Sequence, residues 1–220
     1  MSDAIERSFL FADLAGFTAM TESHGDADAA STAIRFAELT TSVLADGASI
    51  VKTIGDAVMV LAPTPAAAVQ TAVALSKASA IEPRFPLVRM GIHHGPCVER
   101  SGDYFGATVN LAARVAAHAR AGQILATTTV ATALDRVSGV DVREAGLGHF
   151  KNVAAPIPLF EIVIVQGKRE LETIDPVCRM RIDPATAVAR IIHGGAPYYF
   201  CSESCAKTFL DAPSKHVKQP

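Results

Sequence analysis

Tryptophan is absent from this 220-residue chain, tyrosine occurs three times, and aromatic residues make up only 6% of it. Core packing therefore falls to aliphatic side chains and to ten phenylalanines. An excess of charge of one sign is lacking too, since 20 Lys and Arg stand against 22 Asp and Glu for a net charge of -2. With no basic footprint and no Lys/Arg block, neither nucleic acid nor an anionic membrane surface is an expected partner. Long apolar runs are missing as well. The richest stretch, Val58 to Ile81, is interrupted by two prolines, Gln70 and Lys77, and the mean hydropathy of +0.28 is driven by alanine. Asp3, Glu6 and Arg7 precede any apolar run, so the N-terminus does not read as a signal peptide. A soluble, cytoplasmic protein is expected. Half of the residues are hydrophobic, enough to build one large core or two smaller ones.

What is present is concentrated in three segments. Phe11-Ala12-Asp13-Leu14-Ala15-Gly16-Phe17-Thr18 and Lys52-Thr53-Ile54-Gly55-Asp56 each carry an apolar, strand-like run into an aspartate. A glycine lies close to each carboxylate, where the backbone must turn or approach a ligand. Two carboxylates delivered from neighbouring strand ends can hold divalent metal ions against a polyphosphate. Gly16, Phe17 and Thr18 stand where a helix should begin, and amides at a helix start favour phosphate oxygens. The third segment, Gly102 to Arg114, reads as a turn leading into a helix. Asn110 and Arg114 fall four apart on one helical face, with Val109, Ala112, Ala113 and Ala116 free to pack on the other. An amide and a guanidinium stacked in this way suit a ribose and a phosphate charge.

Periodicity places these segments. Ser8 to Ala12 is the first strand, Thr18 to Leu44 is helical, and Ser49 to Lys52 with Ala57 to Leu61 form a hairpin around Ile54-Gly55-Asp56. Pro65 to Ala80 is an alanine-rich helix, and Leu87 to Ile92 a strand ending at His93-His94-Gly95-Pro96. The helix from Val109 closes near Gly122, and Gln123 to Ala126 and Leu159 to Val165 supply late strands. The order predicts an α+β domain with a ferredoxin-like βαββαβ core. His93 reads as structural and Cys97 as a small buried hydrophobe.

From about Arg7 to Val165 these motifs resemble the class III adenylate/guanylate cyclase catalytic domain, whose fold is such a core with additions. The resemblance implies that Asp13 and Asp56, with the backbone of Leu14, bind two Mg²⁺ or Mn²⁺ ions per active site. It implies that Lys52 and Asp103 select the purine, that Asn110 holds the ribose, and that Arg114 stabilises the transition state. Lys151, in His149-Phe150-Lys151-Asn152-Val153, matches the lysine that binds the triphosphate, beside Gly16, Phe17 and Thr18. These positions carry the residue types of an adenylate-forming member. Because the family builds each site from two subunits, a head-to-tail homodimer is expected.

After Gln166-Gly167-Lys168-Arg169-Glu170 the character of the chain changes. Cys178 lies on a knuckle after Asp175-Pro176-Val177, and Ile191 to Gly195 looks like a hairpin. Cys201 and Cys205 are four apart at the start of a helix. Three thiols so arranged suggest a soft-metal site rather than a disulfide framework. Over about Thr173 to His216 this tail resembles the YHS domain, a small metal-binding module with an Asp-Pro-Val-Cys opening and a Tyr-Tyr-Phe-Cys core. It departs from that pattern at Arg179, where the module commonly has glycine. A segment this short buries little core and usually needs a staple, here Zn²⁺ or Cu⁺. Met180, His193, His216 and water are all open as the fourth ligand. The expected organisation is a cyclase domain over 1–166, a linker over 167–172, and a knuckle-hairpin-helix metal-binding domain over 173–220.

The function this implies is conversion of ATP to 3′,5′-cyclic AMP and pyrophosphate in intracellular signalling, with the tail as a possible modulator. Adenine offers an amino donor at position 6 and an acceptor at N1, which an aspartate and a lysine complement; guanine reverses both. The alternatives are a catalytically silent nucleotide sensor, a guanylate cyclase, and a metal carrier whose working end is the tail.

Overall fold

The computed structural model describes residues 4–134, 137–165 and 173–217, so the expected linker over 167–172 lies outside the described residues. The first strand, β1 (Ile5–Leu14), is longer than its apolar centre suggested and runs through the middle of the sheet. Leu10, Ala12 and Leu14 enter the main core, while Phe9 and Phe11 pack into a cluster on the opposite face. Both faces are covered, so the segment reads as an almost unbroken apolar run.

Two helices follow, α1 (Phe17–His24) and α2 (Asp26–Ser42), divided by Gly25, whose N–H closes α1 on the Thr21 carbonyl at 2.8 Å. The hairpin of β2 (Ser49–Ile54) and β3 (Ala57–Ala62) comes next. In α3 (Pro65–Ile81) the Thr64 hydroxyl accepts the Ala67 N–H at 3.2 Å, and Ala67, Ala68, Ala72 and Leu75 face the core. Then β4 (Val88–Arg100) continues through His93 to Pro96, where an end was expected. It does so because β1 continues opposite it, Arg7 pairing with Gly95 and Ile5 with Cys97. Tertiary pairing here overrides the local Gly-Pro signal.

A short β5 (Asp103–Phe105) folds back on β4 before α4 (Ala107–His118), so the helix starts two residues earlier than expected and a strand occupies part of the expected turn. The unit closes with β6 (Ile124–Thr127), α5 (Thr128–Ala131), β7 (Val140–Gly148) and β8 (Ile157–Ile164). Strand order is β2-β3-β1-β4-β6-β8-β7, antiparallel except for β4 with β6. Its first four strands and their helices are the ferredoxin-like core. On one face lie α2 and α3; α4 crosses β4 on the other. The α4 backbone comes so near that a Cβ on Gly91 would stand 2.0 Å from the Ala116 nitrogen, so only glycine fits there.

The tail comprises β9 (Thr173–Ile174), β10 (Arg181–Ile182), the hairpin β11 (Ala189–His193) and β12 (Ala196–Phe200), α6 (Glu203–Asp211) and α7 (Pro213–His216). Ser202 caps α6 by accepting the Cys205 N–H at 3.1 Å. Phe200 and Phe209 fill a small core that also takes in Met20 of α1 and Ala29 of α2. Backbone bonds seal the seam. The Leu87 N–H donates to the Arg179 carbonyl at 3.1 Å, and the Arg181 N–H to the Phe85 carbonyl at 3.3 Å. The Arg84 guanidinium adds a bond to the Cys201 carbonyl at 3.0 Å. The tail borrows core from the larger unit, as its size demands.

Candidate active site and a cysteine–histidine cluster

Asp13 sits near the end of β1, and pairing with β3 sets it opposite Ala57, next to Asp56 in the β2–β3 turn. The Leu14 N–H reaches the Asp56 carbonyl at 3.4 Å. Burial, and then the neighbouring Asp13 carboxylate, push the Asp56 carboxyl up to about 6. Arg89, opposite Asp13 on β4, donates its Nε to the Asp13 carboxylate at 2.7 Å, and a second guanidinium nitrogen bonds the same oxygen. Sequence reasoning missed Arg89, because only the register of β1 against β4 brings it there.

These carboxylates face a cleft of about 860 Å³ that Leu14, Gly16, Phe17 and Thr18 also line. Gly16 precedes α1 with φ of 75°, a left-handed conformation that suits glycine. Two carboxylates brought this close make a hard-cation site. The tail contributes two residues to the cleft that the sequence did not announce, Ile174 and, with its long cationic side chain, Arg179. Its Cγ lies 3.0 Å from where a Gly16 Cβ would stand.

The remaining candidates gather elsewhere. Lys52 on β2 donates to Asp103 on β5 at 2.6 Å, and the Tyr104 N–H donates to the same carboxylate at 2.8 Å. Lys52, then that amide, hold the Asp103 carboxyl below the usual range. Asn110 is exposed and Arg114 half-buried on α4, and neither side chain has a hydrogen-bond or ion-pair partner among the described residues. Exposed Lys151 follows Phe150, whose ring meets that of His118 edge-on at the end of α4, with 5.7 Å between centroids. None of these five residues lines the Asp13–Asp56 cleft. His93 is structural, as expected: it bonds the Thr127 hydroxyl at 2.7 Å, and burial pushes it down to about 4. Cys97 is buried, its thiol donating to the Ile5 carbonyl at 3.4 Å.

The tail thiols converge. Cys178 and Cys201 sulfurs are 3.3 Å apart and those of Cys201 and Cys205 3.7 Å. The fourth member of the cluster is neither His193 nor His216, whose rings pack against Phe209. It is His24, at the end of α1, with Nε2 3.4 Å from the Cys201 sulfur and 3.8 Å from that of Cys205. All four candidate ligand atoms lie within 4.8 Å of one another. Asp175 ties the loops together, accepting the Val177 and Cys201 N–H groups at 2.8 Å each.

Comparison with known proteins agrees with both halves. The profile of the adenylate and guanylate cyclase catalytic domain matches residues 3–152, and that of the YHS domain matches 173–219. A pH-sensitive adenylate cyclase of Mycobacterium tuberculosis is 35% identical over 155 residues, covering 69% of this chain and 39% of that protein. An adenylate cyclase of Streptomyces coelicolor is 36% identical over 137 residues, 61% of this chain and 36% of that one. The chain thus spans under two-fifths of the length of these two curated relatives. Among solved structures, an adenylate/guanylate cyclase/hydrolase from Silicibacter pomeroyi superposes with a TM-score of 0.66 at 30% identity, over 74% of this chain and 99% of that one. The adenylyl cyclase CyaB of P. aeruginosa shares the fold, with a TM-score of 0.64 at 22% identity over 78% and 99%. With the ferredoxin-like core, the paired carboxylates and the thiol-bearing tail all in their expected segments, the chain belongs to the adenylate and guanylate cyclase catalytic-domain family and carries a YHS domain at its C-terminal end.

Proposed function

We propose that this protein is an adenylate cyclase that makes 3′,5′-cyclic AMP and pyrophosphate from ATP, at sites shared between two copies arranged head to tail. The observation that carries this reading is the division of the site. Asp13, Asp56, Gly16, Phe17 and Thr18 line one cleft, whereas Lys52, Asp103, Asn110, Arg114 and Lys151 lie outside it. One chain offers two half-sites, and a second copy would complete each.

Asp13 and Asp56, with the Leu14 backbone, have the donor set for divalent cations. When bound there, two Mg²⁺ or Mn²⁺ ions would supply positive charge that eases loss of the ribose 3′-hydroxyl proton and balances the departing pyrophosphate. The chain's own residues do the rest. Amides at the start of α1 receive phosphate oxygens. Asn110 holds the ribose so that its 3′-oxygen bonds to the α-phosphorus as the bond to the pyrophosphate oxygen breaks. Arg114, unpaired among the described residues, meets the charge that builds on the α-phosphate, and Lys151 anchors the distal phosphates. Lys52 and Asp103, already set against each other at 2.6 Å, present a donor to adenine N1 and an acceptor to its amino group.

The test pairs two inactive variants. Asp56→Ala and Arg114→Ala chains, each silent alone, should regain activity when mixed, because one heterodimer site then has both halves intact. Products are identified by mass with ATP or GTP and Mn²⁺ or Mg²⁺. No recovery despite demonstrated subunit exchange overturns the shared site. Nucleotide binding without any cyclic product overturns catalysis, and preference for GTP overturns the base assignment.

A further inference from the structure

We propose that the thiol cluster of the tail is a four-ligand zinc site completed across the domain boundary by His24, so that one metal ion fastens the YHS domain to the helix that begins at the catalytic cleft. The three cysteines come from the tail, whereas His24 lies 177 residues before Cys201 in the other unit. The spacing fits the ion. A tetrahedron with Zn–S bonds of about 2.3 Å has sulfur–sulfur edges of about 3.8 Å and slightly shorter sulfur–nitrogen ones. The observed sulfur–sulfur separations of 3.3 and 3.7 Å fall somewhat short of that edge, and the sulfur–nitrogen separations of 3.4 and 3.8 Å lie to either side of theirs, so small side-chain shifts would seat the ion. They are far too long for a disulfide, and all four cysteines of the chain are free. Three sulfurs with one imidazole are a closed structural set for a borderline-soft d¹⁰ ion and a poor one for the Mg²⁺ or Mn²⁺ of the carboxylate cleft.

The surroundings are built for it. The three thiols are buried while His24 is half-buried, at the edge of a groove of about 270 Å³ lined also by Asp28, Ser31, Thr32, Arg84 and Met180. That groove gives an ion a way in. Asp175 accepts backbone N–H groups of both cysteine loops, and Arg84, from the cyclase unit, holds the Cys201 carbonyl. Such supporting contacts fix ligands before the ion arrives.

The placement has a functional consequence. The eight residues of α1 join Phe17, in the catalytic cleft, to His24, in the cluster. A metal that holds His24 fixes the far end of the helix whose first amides face the cleft. The same ion would hold Cys178, whose neighbour Arg179 lines that cleft and fills the space a Cβ on Gly16 would need. Arg179 keeps φ at 61°, a left-handed conformation that is strained for a non-glycine residue. Strain of that kind persists where the surrounding structure holds it, and here a metal-bound cysteine is next in the chain.

The experiment measures binding rather than turnover. The full chain, reduced and stripped of metal, is titrated with Zn²⁺ against a chromophoric chelator, and with Co²⁺ as a spectroscopic stand-in. Wild type should take one ion per chain at the cluster, with intense thiolate–Co²⁺ bands of a tetrahedral site. His24→Ala should weaken Zn²⁺ binding by more than the roughly 10–100-fold that loss of a supporting contact costs, and should shift the Co²⁺ spectrum. His24→Cys, which restores a soft donor, should regain tight binding with a four-sulfur spectrum, answering any concern that the alanine variant misfolds. In wild type, Zn²⁺ should also protect the full chain from limited proteolysis, and in His24→Ala it should not at the same free Zn²⁺. Unchanged affinity and an unchanged Co²⁺ spectrum in His24→Ala would overturn the proposal and leave a site confined to the tail. So would binding of Cu⁺ alone by the three thiols, indifferent to residue 24.

Discussion

The two ligand clusters at opposite ends of α1 are built on opposite plans. The carboxylate cleft takes its oxygens from Asp13, on β1, and Asp56, in the turn of the neighbouring β2–β3 hairpin, and is open and lined by groups suited to phosphate. The sulfur cluster joins His24, Cys178 and the close pair Cys201 and Cys205, drawn from three segments far apart in sequence. Sheet register alone positions the first, so it forms with the core of the cyclase unit, yet it lacks the purine and ribose residues. Docking of two units positions the second, so it has every ligand in one chain but only while the tail stays seated. In the proposed reading the hard-ion site would be completed by a second copy, whereas the soft-ion site would be complete within one chain.

The contrast can be broken most decisively at the carboxylates. Asp13→Ala or Asp56→Ala should lower cyclase activity by more than about 100-fold, since each removes a donor from the ions that carry charge in the reaction. Zn²⁺ binding at the thiols and the circular dichroism spectrum should stay as in wild type. If cluster affinity fell together with activity, the two sites would not be separable.

A smaller effect is expected at the base pair. Exchanging Lys52→Glu with Asp103→Cys should reduce ATP turnover roughly 10- to 100-fold and raise turnover of GTP, because guanine reverses the donor and acceptor that the present pair complements. An unchanged ratio of the two rates would remove Lys52 and Asp103 from base selection.

The smallest concerns protons. With its carboxyl raised from 3.8 to about 6, Asp56 in the folded, metal-free protein binds protons that the unfolded chain has released. Its contribution to stability therefore falls as pH rises from about 4 through 6. Comparing wild type with Asp56→Asn in chelator by urea denaturation, the wild type should lose roughly 1–2 kcal/mol relative to the variant across that window, allowing for solvent screening of a partly exposed group. A flat difference would mean that neither burial nor the neighbouring Asp13 raises the Asp56 carboxyl. Divalent ions should abolish the difference by holding both carboxylates charged.

How far these sites were legible in the sequence followed the range of the interactions. Strong local patterns, such as the hairpin around Gly55-Asp56 and the capped alanine-rich α3, read correctly because their signals lie within a few residues. The strand β7 went unread: most of its residues are exposed, and a register shift between Glu144 and Gly146 breaks its alternation. Arg89 and His24 carried no local signal at all, the first needing the β1–β4 register and the second a docked tail. The departure at Arg179 was visible, but not its meaning. The left-handed backbone there explains why glycine is the usual choice, and the cleft shows where the substituted side chain goes.

Gly91 sets a height. With no side chain between them, β4 and α4 meet backbone to backbone at Ala116, and the helix rests as low on the sheet as covalent geometry allows. Asn110 and Arg114 ride on that helix, so the reach of each toward a neighbouring molecule is measured from the floor that residue 91 provides. An alanine at this position would act as a shim, lifting both side chains together without altering either. The distance between the two copies of a shared site would then be tuned by a residue that contacts no substrate.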